Sequence, residues 1–172
     1  NVYQVKENCK YCIEQVAKNS GYKFVNIGSD DLFKKNKKMV LAIFWQMATK
    51  HILETLGGVS EPDLLKWANG KAGDKAVKGF NDKAIKTSQF FFGILKGIEE
   101  RAIDYDYVFP GENDQEIEDN AKYVISVARR LGAPVFSVWE DIRDVKSKMM
   151  MVLAATLKKV EEDLAADKKE AP

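Results

Sequence analysis

Met39, Val40, Leu41, Ala42, Ile43, Phe44 and Trp45 form an unbroken apolar run. The pattern continues through Met47, Ala48, Ile52, Leu53 and Leu56 with helical spacing. That is too long for a typical strand and predicts one helix of about five turns over Asn36–Leu56. Its first half is apolar all round and therefore requires enclosure by other elements. Gln46, Thr49, Lys50 and Glu54 give its second half a polar face. Asn36 is a suitable N-cap, and Gly57-Gly58 is a strong stop. A bilayer needs about 20 consecutive apolar residues, so this is a core helix and not a membrane span.

Earlier in the chain, Tyr3, Cys9, Cys12, Ile13, Val16 and Ala17 predict a helix that Asn19-Ser20-Gly21 ends. Ser29-Asp30-Asp31 reads as a cap-and-turn cluster, followed by Leu32 and the basic run Lys34, Lys35, Lys37 and Lys38. Pro62 and Asp63 suit the first turn of a helix with Leu64, Leu65, Trp67 and Ala68 on its apolar face. Asn69-Gly70 is expected to end it, leaving an exposed Gly- and Lys-rich loop over residues 70–79. Ser88 opens a helix rich in Phe90, Phe91, Phe92, Ile94 and Leu95. An irregular aromatic stretch through Tyr105, Tyr107 and Phe109 closes at Pro110-Gly111. Asp114 begins a helix with Ile117, Ala121, Val124 and Ala128 facing inward. A last helix, from about Val145 to Leu164, repeats the all-round apolar character at Met149-Met150-Met151-Val152-Leu153, which reads as core. No alternating strand is visible, and the expected fold class is all-α.

A chain of 172 residues allows one large domain or two small ones. Its net charge of +1 argues against a general nucleic-acid binder. The charge is uneven: residues 1–58 carry nine Lys against five Asp/Glu, residues 59–172 eighteen Lys/Arg against twenty-one. The basic first part suits an acidic partner surface. Cys9 and Cys12 form a CxxC, but no strand precedes it and the motif lies inside a helical pattern. They read as two small core or interface residues, in a reducing compartment. His51 has no ligand partners near it in sequence and reads as a surface or packing histidine. No Walker loop and no Gly-x-Ser-x-Gly elbow is present, so neither an enzyme nor a cofactor or metal site is expected. The chain starts at Asn1 in mid-pattern, without an initiator Met, and is expected to belong to a longer protein.

An internal repeat reorganises this picture. ENCKYCIEQVAKNSGYKFVNIGSDDL, Glu7 to Leu32, parallels DNAKYVISVARRLGAPVFSVWEDI, Asp119 to Ile142. Asn8 pairs with Asn120, Tyr11 with Tyr123, Ile13 with Ile125, Asp31 with Asp141 and Leu32 with Ile142. KKMVLAI, Lys37 to Ile43, then parallels SKMMMVL, Ser147 to Leu153. A spacing of about 110 residues is a domain duplication and not a solenoid. The expected organisation is the C-terminal half of one domain over 1–57, a linker over 58–61, a complete domain over 62–164 and a flexible tail over 165–172. Expected core residues are Met39, Ile43, Trp45, Trp67, Trp139 and Met150.

These stretches, with LLKWAN at Leu64–Asn69, resemble the calponin homology domain, an all-α fold of four main helices. Within that family they resemble the actin-bundling members that carry four such domains: the back half of the third and all of the fourth. One departure is Lys35, where the family usually has glycine; it is expected to change the loop and add charge. Asp104-x-Asp106 is not a calcium loop, because Val108 and Phe109 stand where an oxygen ligand and Gly are needed. The resemblance implies a non-enzymatic, cytoplasmic, cytoskeletal module that binds actin filaments. Carried over by position, the contact falls on Lys34, Lys35, Lys37, Lys38, Gln46, Thr49 and Lys50. The alternative is a scaffold on microtubules or an axoneme that does not touch actin. If Trp45 is enclosed, Trp45→Ala should cost about 3–5 kcal/mol in a denaturant melt. A loss near zero would place the helix face in solvent.

Overall fold

Ser60 shows how the helices begin where the sequence places them. Its extended backbone (φ −66°, ψ 152°) lets its hydroxyl accept the Asp63 N–H at 3.3 Å, with Pro62 in the first turn. The computed structural model describes residues 1–20, 24, 27–55 and 58–170. Among them the regular structure is helical: α1 (Val2–Ser20), α2 (Ser29–Phe33), α3 (Lys37–Thr55), α4 (Glu61–Ala72), α5 (Gln89–Ile98), α6 (Asp114–Arg130), α7 (Trp139–Arg143) and α8 (Ser147–Glu170). The 3-10 turns Gly73–Lys75 and Lys83–Thr87 lie between α4 and α5, and Tyr105–Tyr107 lies between α5 and α6. The chain is all-α, as expected, and divides into two units, Asn1–His51 and Ile52–Pro172. Gly21, Leu56 and Gly57, assigned above to a helix end, the central helix and a stop, lie outside the described residues.

The second unit has a full core. Leu64 and Ala68 of α4, Phe90, Phe91, Phe92, Ile94 and Leu95 of α5, and Met150, Leu153 and Leu157 of α8 are buried together. Along α6 the buried face runs Ile117, Ala121, Val124, Ala128, a helical stripe. Each large side chain enclosed this way contributes about 1.5–3 kcal/mol. α4 and α5 approach so closely that a Cβ on Gly93 would stand 2.9 Å from the Ala72 Cα. Only glycine fits there.

Two expectations change in this unit. Asn69-Gly70 does not end α4; the helix continues to Ala72 and is capped by Gly73 at φ 60°. Asn69 instead reaches out of the helix. Its Nδ2 donates to the Val77 carbonyl and its Oδ1 accepts the Val77 N–H, both at 2.9 Å. This grip folds the Gly- and Lys-rich segment back and buries Ala72 and Val77. Tertiary bonds of this kind outweigh the roughly 1 kcal/mol that a glycine costs inside a helix. The second change is at α8, which runs past Leu164 to Glu170. Ala165, Ala166 and Lys168 are good helix formers, and Lys159 pairs with Asp163 one turn on.

The tryptophans expected in the core are partly exposed for specific reasons. Trp67 donates its indole N–H to Glu161 at 2.7 Å, and Lys71 pairs with the other Glu161 oxygen. Burial alone would raise the Glu161 pKa, but these two partners leave it lowered. Trp139 lies half-buried between the Lys122 ammonium, 5.6 Å from its ring centre, and the Arg143 guanidinium, 4.9 Å away. Met150 is fully enclosed.

The first unit is thinner. Ile43 is buried, and Met39 and Val40 are half-buried. Leu41, Phe44 and Trp45 are 57%, 64% and 39% exposed. The enclosure expected for Met39–Trp45 is therefore not met here, and Trp45 is not a core residue of this unit. α1 and the five-residue α2 supply too little apolar surface to surround a helix that is apolar on every side. Cys9 is half-buried and Cys12 exposed, both as free thiols, and His51 is exposed.

Asn120 marks the difference between the units. Fully buried, it accepts the Phe109 N–H at 3.0 Å and donates to the Phe109 and Thr87 carbonyls at 2.8 and 3.0 Å. Its repeat partner Asn8 is exposed. Asn120→Ala should therefore cost about 1–3 kcal/mol in urea unfolding, by orphaning buried backbone groups. Asn8→Ala should stay within about 0.5 kcal/mol. In the same assay Trp45→Ala should cost about 1–2 kcal/mol, less than the roughly 2–5 kcal/mol expected for Met150→Ala. A Trp45→Ala loss as large as that of Met150→Ala would mean that this indole is enclosed.

Candidate functional site

The lysine cluster sits on a corner whose backbone is set by one aspartate. The Asp31 carboxylate accepts the Gly28 N–H at 3.0 Å and, more weakly, the Asn36 side-chain amide at 3.4 Å. Its carbonyl accepts the Asn36 N–H at 2.9 Å. Lys34 and Lys35 donate their N–H groups back to Asp30 and Leu32, at 2.9 and 3.0 Å. Asn36 then caps α3: its Oδ1 accepts the Met39 N–H at 3.4 Å, and its carbonyl takes the Val40 N–H at 2.9 Å. The second unit repeats the aspartate clasp of this corner. Asp141 accepts the Val138 N–H at 3.0 Å and the Lys146 ammonium at 2.8 Å, and its carbonyl takes the Lys146 N–H at 2.9 Å.

Lys35 was expected to alter this loop because it replaces a glycine. It takes the same backbone as the other non-glycine residue at this corner, Val145. Its φ of 54° is left-handed, as is the 48° of Val145 at the matching position. The corner keeps its shape, and the cost is backbone strain at a side-chain-bearing residue.

The fold brings Lys34, Lys35, Lys37 and Lys38 together at this corner, all exposed. None of the four forms an ion pair among the described residues. Lys37 and Lys38 share their side of α3 with Leu41, Phe44 and Trp45. Gln46 and Lys50 fall on another stripe, three and seven residues after Ile43, and are half-buried. The expected division, with Met39–Trp45 inward and Lys37, Lys38, Gln46 and Lys50 outward, is thus not the one found. The all-round apolar run has no preferred face, so periodicity could not assign one. The Thr49 side chain lies outside the described residues. What sequence reasoning missed is the aromatic neighbourhood of the lysines, Phe44 and Trp45; the available signal was their position two turns beyond Lys37 and Lys38. Among the described residues, no group of three His, Cys, Asp or Glu could hold a metal ion, and no helix is long and apolar enough to cross a membrane.

Two copies of one corner, each leading into an apolar helix, define a class. The model of the calponin homology (CH) domain matches residues 1–52 and again residues 58–163, and the chain belongs to that family. Within it, the chain is closely related to the fimbrins and plastins. It is 34% identical to Fimbrin-2 of Arabidopsis thaliana over 164 residues, covering 88% of this chain and 25% of that protein. It is 36% identical to the fimbrin of Dictyostelium discoideum over 165 residues, covering 90% of this chain and 27% of that protein. The crystal structure of the actin-crosslinking core of Schizosaccharomyces pombe fimbrin superposes with a TM-score of 0.80 at 32% identity, over 90% of this chain and 34% of that one. The chain spans about a quarter of the length of the curated relatives it matches.

The geometry separates charge from strain at Lys35. Lys35→Gly should stabilise the chain by about 1 kcal/mol, because glycine adopts a left-handed φ freely. Equilibrium unfolding monitored by circular dichroism would measure it, and an equal or lower stability would mean the corner carries no strain there.

Proposed function

We propose that this chain is a non-enzymatic actin-filament-binding and bundling module of a cytoplasmic, cytoskeletal, fimbrin-like protein. The observation that carries this is the exposed cluster Lys34, Lys35, Lys37 and Lys38, unpaired among the described residues, on a corner held rigid by Asp31. Kinship with fimbrins supplies the partner: the matched solved structure is described as an actin-crosslinking core. Actin filaments are acidic, so the cluster would speed encounter and make binding salt-sensitive.

We also propose that residues 1–57 are the C-terminal half of a calponin homology domain, joined by 58–61 to a complete one over 62–164. The exposures along the two apolar helices support this. Phe44 and Trp45 are exposed, while their repeat partners Ala154 and Ala155 are buried in the second unit. On this reading the open face of α3 is covered by the rest of its domain. Lys34, Lys37 and Lys38 would stay outside, since the matching positions Asp144, Ser147 and Lys148 are exposed even in the second unit, while Lys35 matches the half-buried Val145. Gln46 and Lys50 match the buried Thr156 and Val160, which favours the four lysines over them as the contact. Nothing in the relatives' descriptions favours the microtubule alternative.

The test is Lys35→Glu with Lys38→Glu in the full-length protein. Filament co-sedimentation should weaken several-fold at physiological salt and lose much of its salt dependence. Unchanged pelleting would remove the corner from the contact. Pelleting with microtubules and not with actin would overturn the actin reading itself.

A further inference from the structure

We propose that Tyr105 is a phosphate acceptor for a tyrosine kinase, and that the phosphate settles against the Lys96 and Lys75 side chains. This inference does not depend on filament binding.

Between α5 and α6, residues 99–113 contain no α-helix, only the 3-10 turn Tyr105–Tyr107. A kinase must draw its target into an extended form that presents the hydroxyl in line with the γ-phosphate. Around Tyr105 there is no α-helical ladder to break, only the anchors at Asp104 and Phe109, whereas α1 holds the exposed Tyr3 and Tyr11 inside a helix. Tyr123 is unavailable: it lies in α6, and its hydroxyl accepts the Asp104 N–H at 2.9 Å. Tyr107 is 63% exposed, but its ring leans on Tyr123 with centres 6.1 Å apart. Tyr105 is 52% exposed, and its hydroxyl has no hydrogen-bond partner among the described residues. Asp104 and Asp106 flank it, and the Asp104 carboxylate is pinned to the Asp106 N–H at 3.1 Å.

The surroundings favour the phosphorylated product. The Lys96 ammonium lies 5.5 Å from the Tyr105 ring centre and has no carboxylate partner among the described residues. Lys75 is held by Asp74 at 2.8 Å. Its pKa is raised mainly by that bond and to a lesser degree by Tyr105, which places the phenol within electrostatic reach. Tyr105, Lys71, Lys75 and Lys96 line one surface cavity of about 410 Å³. Transfer breaks the bond between the γ-phosphorus of ATP and its bridging oxygen and forms one to the Tyr105 Oη. The phenolic proton passes to the kinase's base, and ADP leaves. A near-dianion then meets two ammonium groups and can form one to three charge-assisted hydrogen bonds. The 99–113 segment would be drawn onto the α4–α5 edge.

The test uses the full chain with a broad-specificity tyrosine kinase and ATP. Tandem mass spectrometry should locate the phosphate on Tyr105, and Tyr105→Phe should remove it. In low salt the thermal midpoint should rise by about 2–4 °C on phosphorylation. That gain should vanish near 1 M salt, where the Debye length is about 3 Å. Lys96→Met should accept phosphate as readily but gain less than half as much. Phosphate found only on other tyrosines would overturn the acceptor assignment. A full gain in Lys96→Met, or no gain in the wild type, would overturn the lysine cradle.

Discussion

One aspartate in each unit sets the direction of the helix that follows. Asp141 is nearly buried, a costly place for a carboxylate unless its oxygens are satisfied. They are: one takes the Val138 N–H and the other the Lys146 ammonium, while the carbonyl takes the Lys146 N–H. One residue thus ties together both ends of a short helix and the start of the long one. The chain must turn within three residues, and this is why Val145 adopts a left-handed φ that a β-branched residue normally avoids. Such strain persists only where surrounding bonds over-determine the backbone. The same clasp at Asp31 forces the same conformation on Lys35. Two unrelated side chains accept an unfavourable backbone because the aspartate leaves no alternative.

The duplication was legible because its residues do this work. Asp31 and Asp141, with Leu32 and Ile142 behind them, could be paired across a gap without knowing what they bound. The helices followed from spacing and caps for the same reason: Ser60, Asn113 and Asn36 are residues whose side chains satisfy helix N–H groups locally. The failures are all non-local. Asn69-Gly70 looked like a stop because nothing in its neighbourhood revealed that Asn69 would grip Val77. Faces of α3 could not be assigned because seven consecutive apolar residues present the same character at every angle. Trp45 was placed in a core on its residue type, but burial depends on what lies opposite, and in this unit too little does.

The equivalence of the two corners stops at their charge. In the second unit two of the three cations near the corner are engaged, and Lys148 forms no ion pair among the described residues. The Lys146 ammonium completes the Asp141 clasp, and Arg143 pairs with Asp144 while lying over Trp139. In the first unit position 36 is a neutral asparagine, which bonds Asp31 only weakly, and no acid stands where Asp144 does. Among the described residues Lys34, Lys35, Lys37 and Lys38 therefore keep their charge unpaired on a rigid corner. Four like charges held this close repel one another, and an anionic surface would relieve that repulsion as well as attract each charge. A corner with a single unengaged lysine has a smaller gain. The shared backbone explains why both units fold alike, and the altered pairing is what leaves the first corner the more strongly cationic of the two.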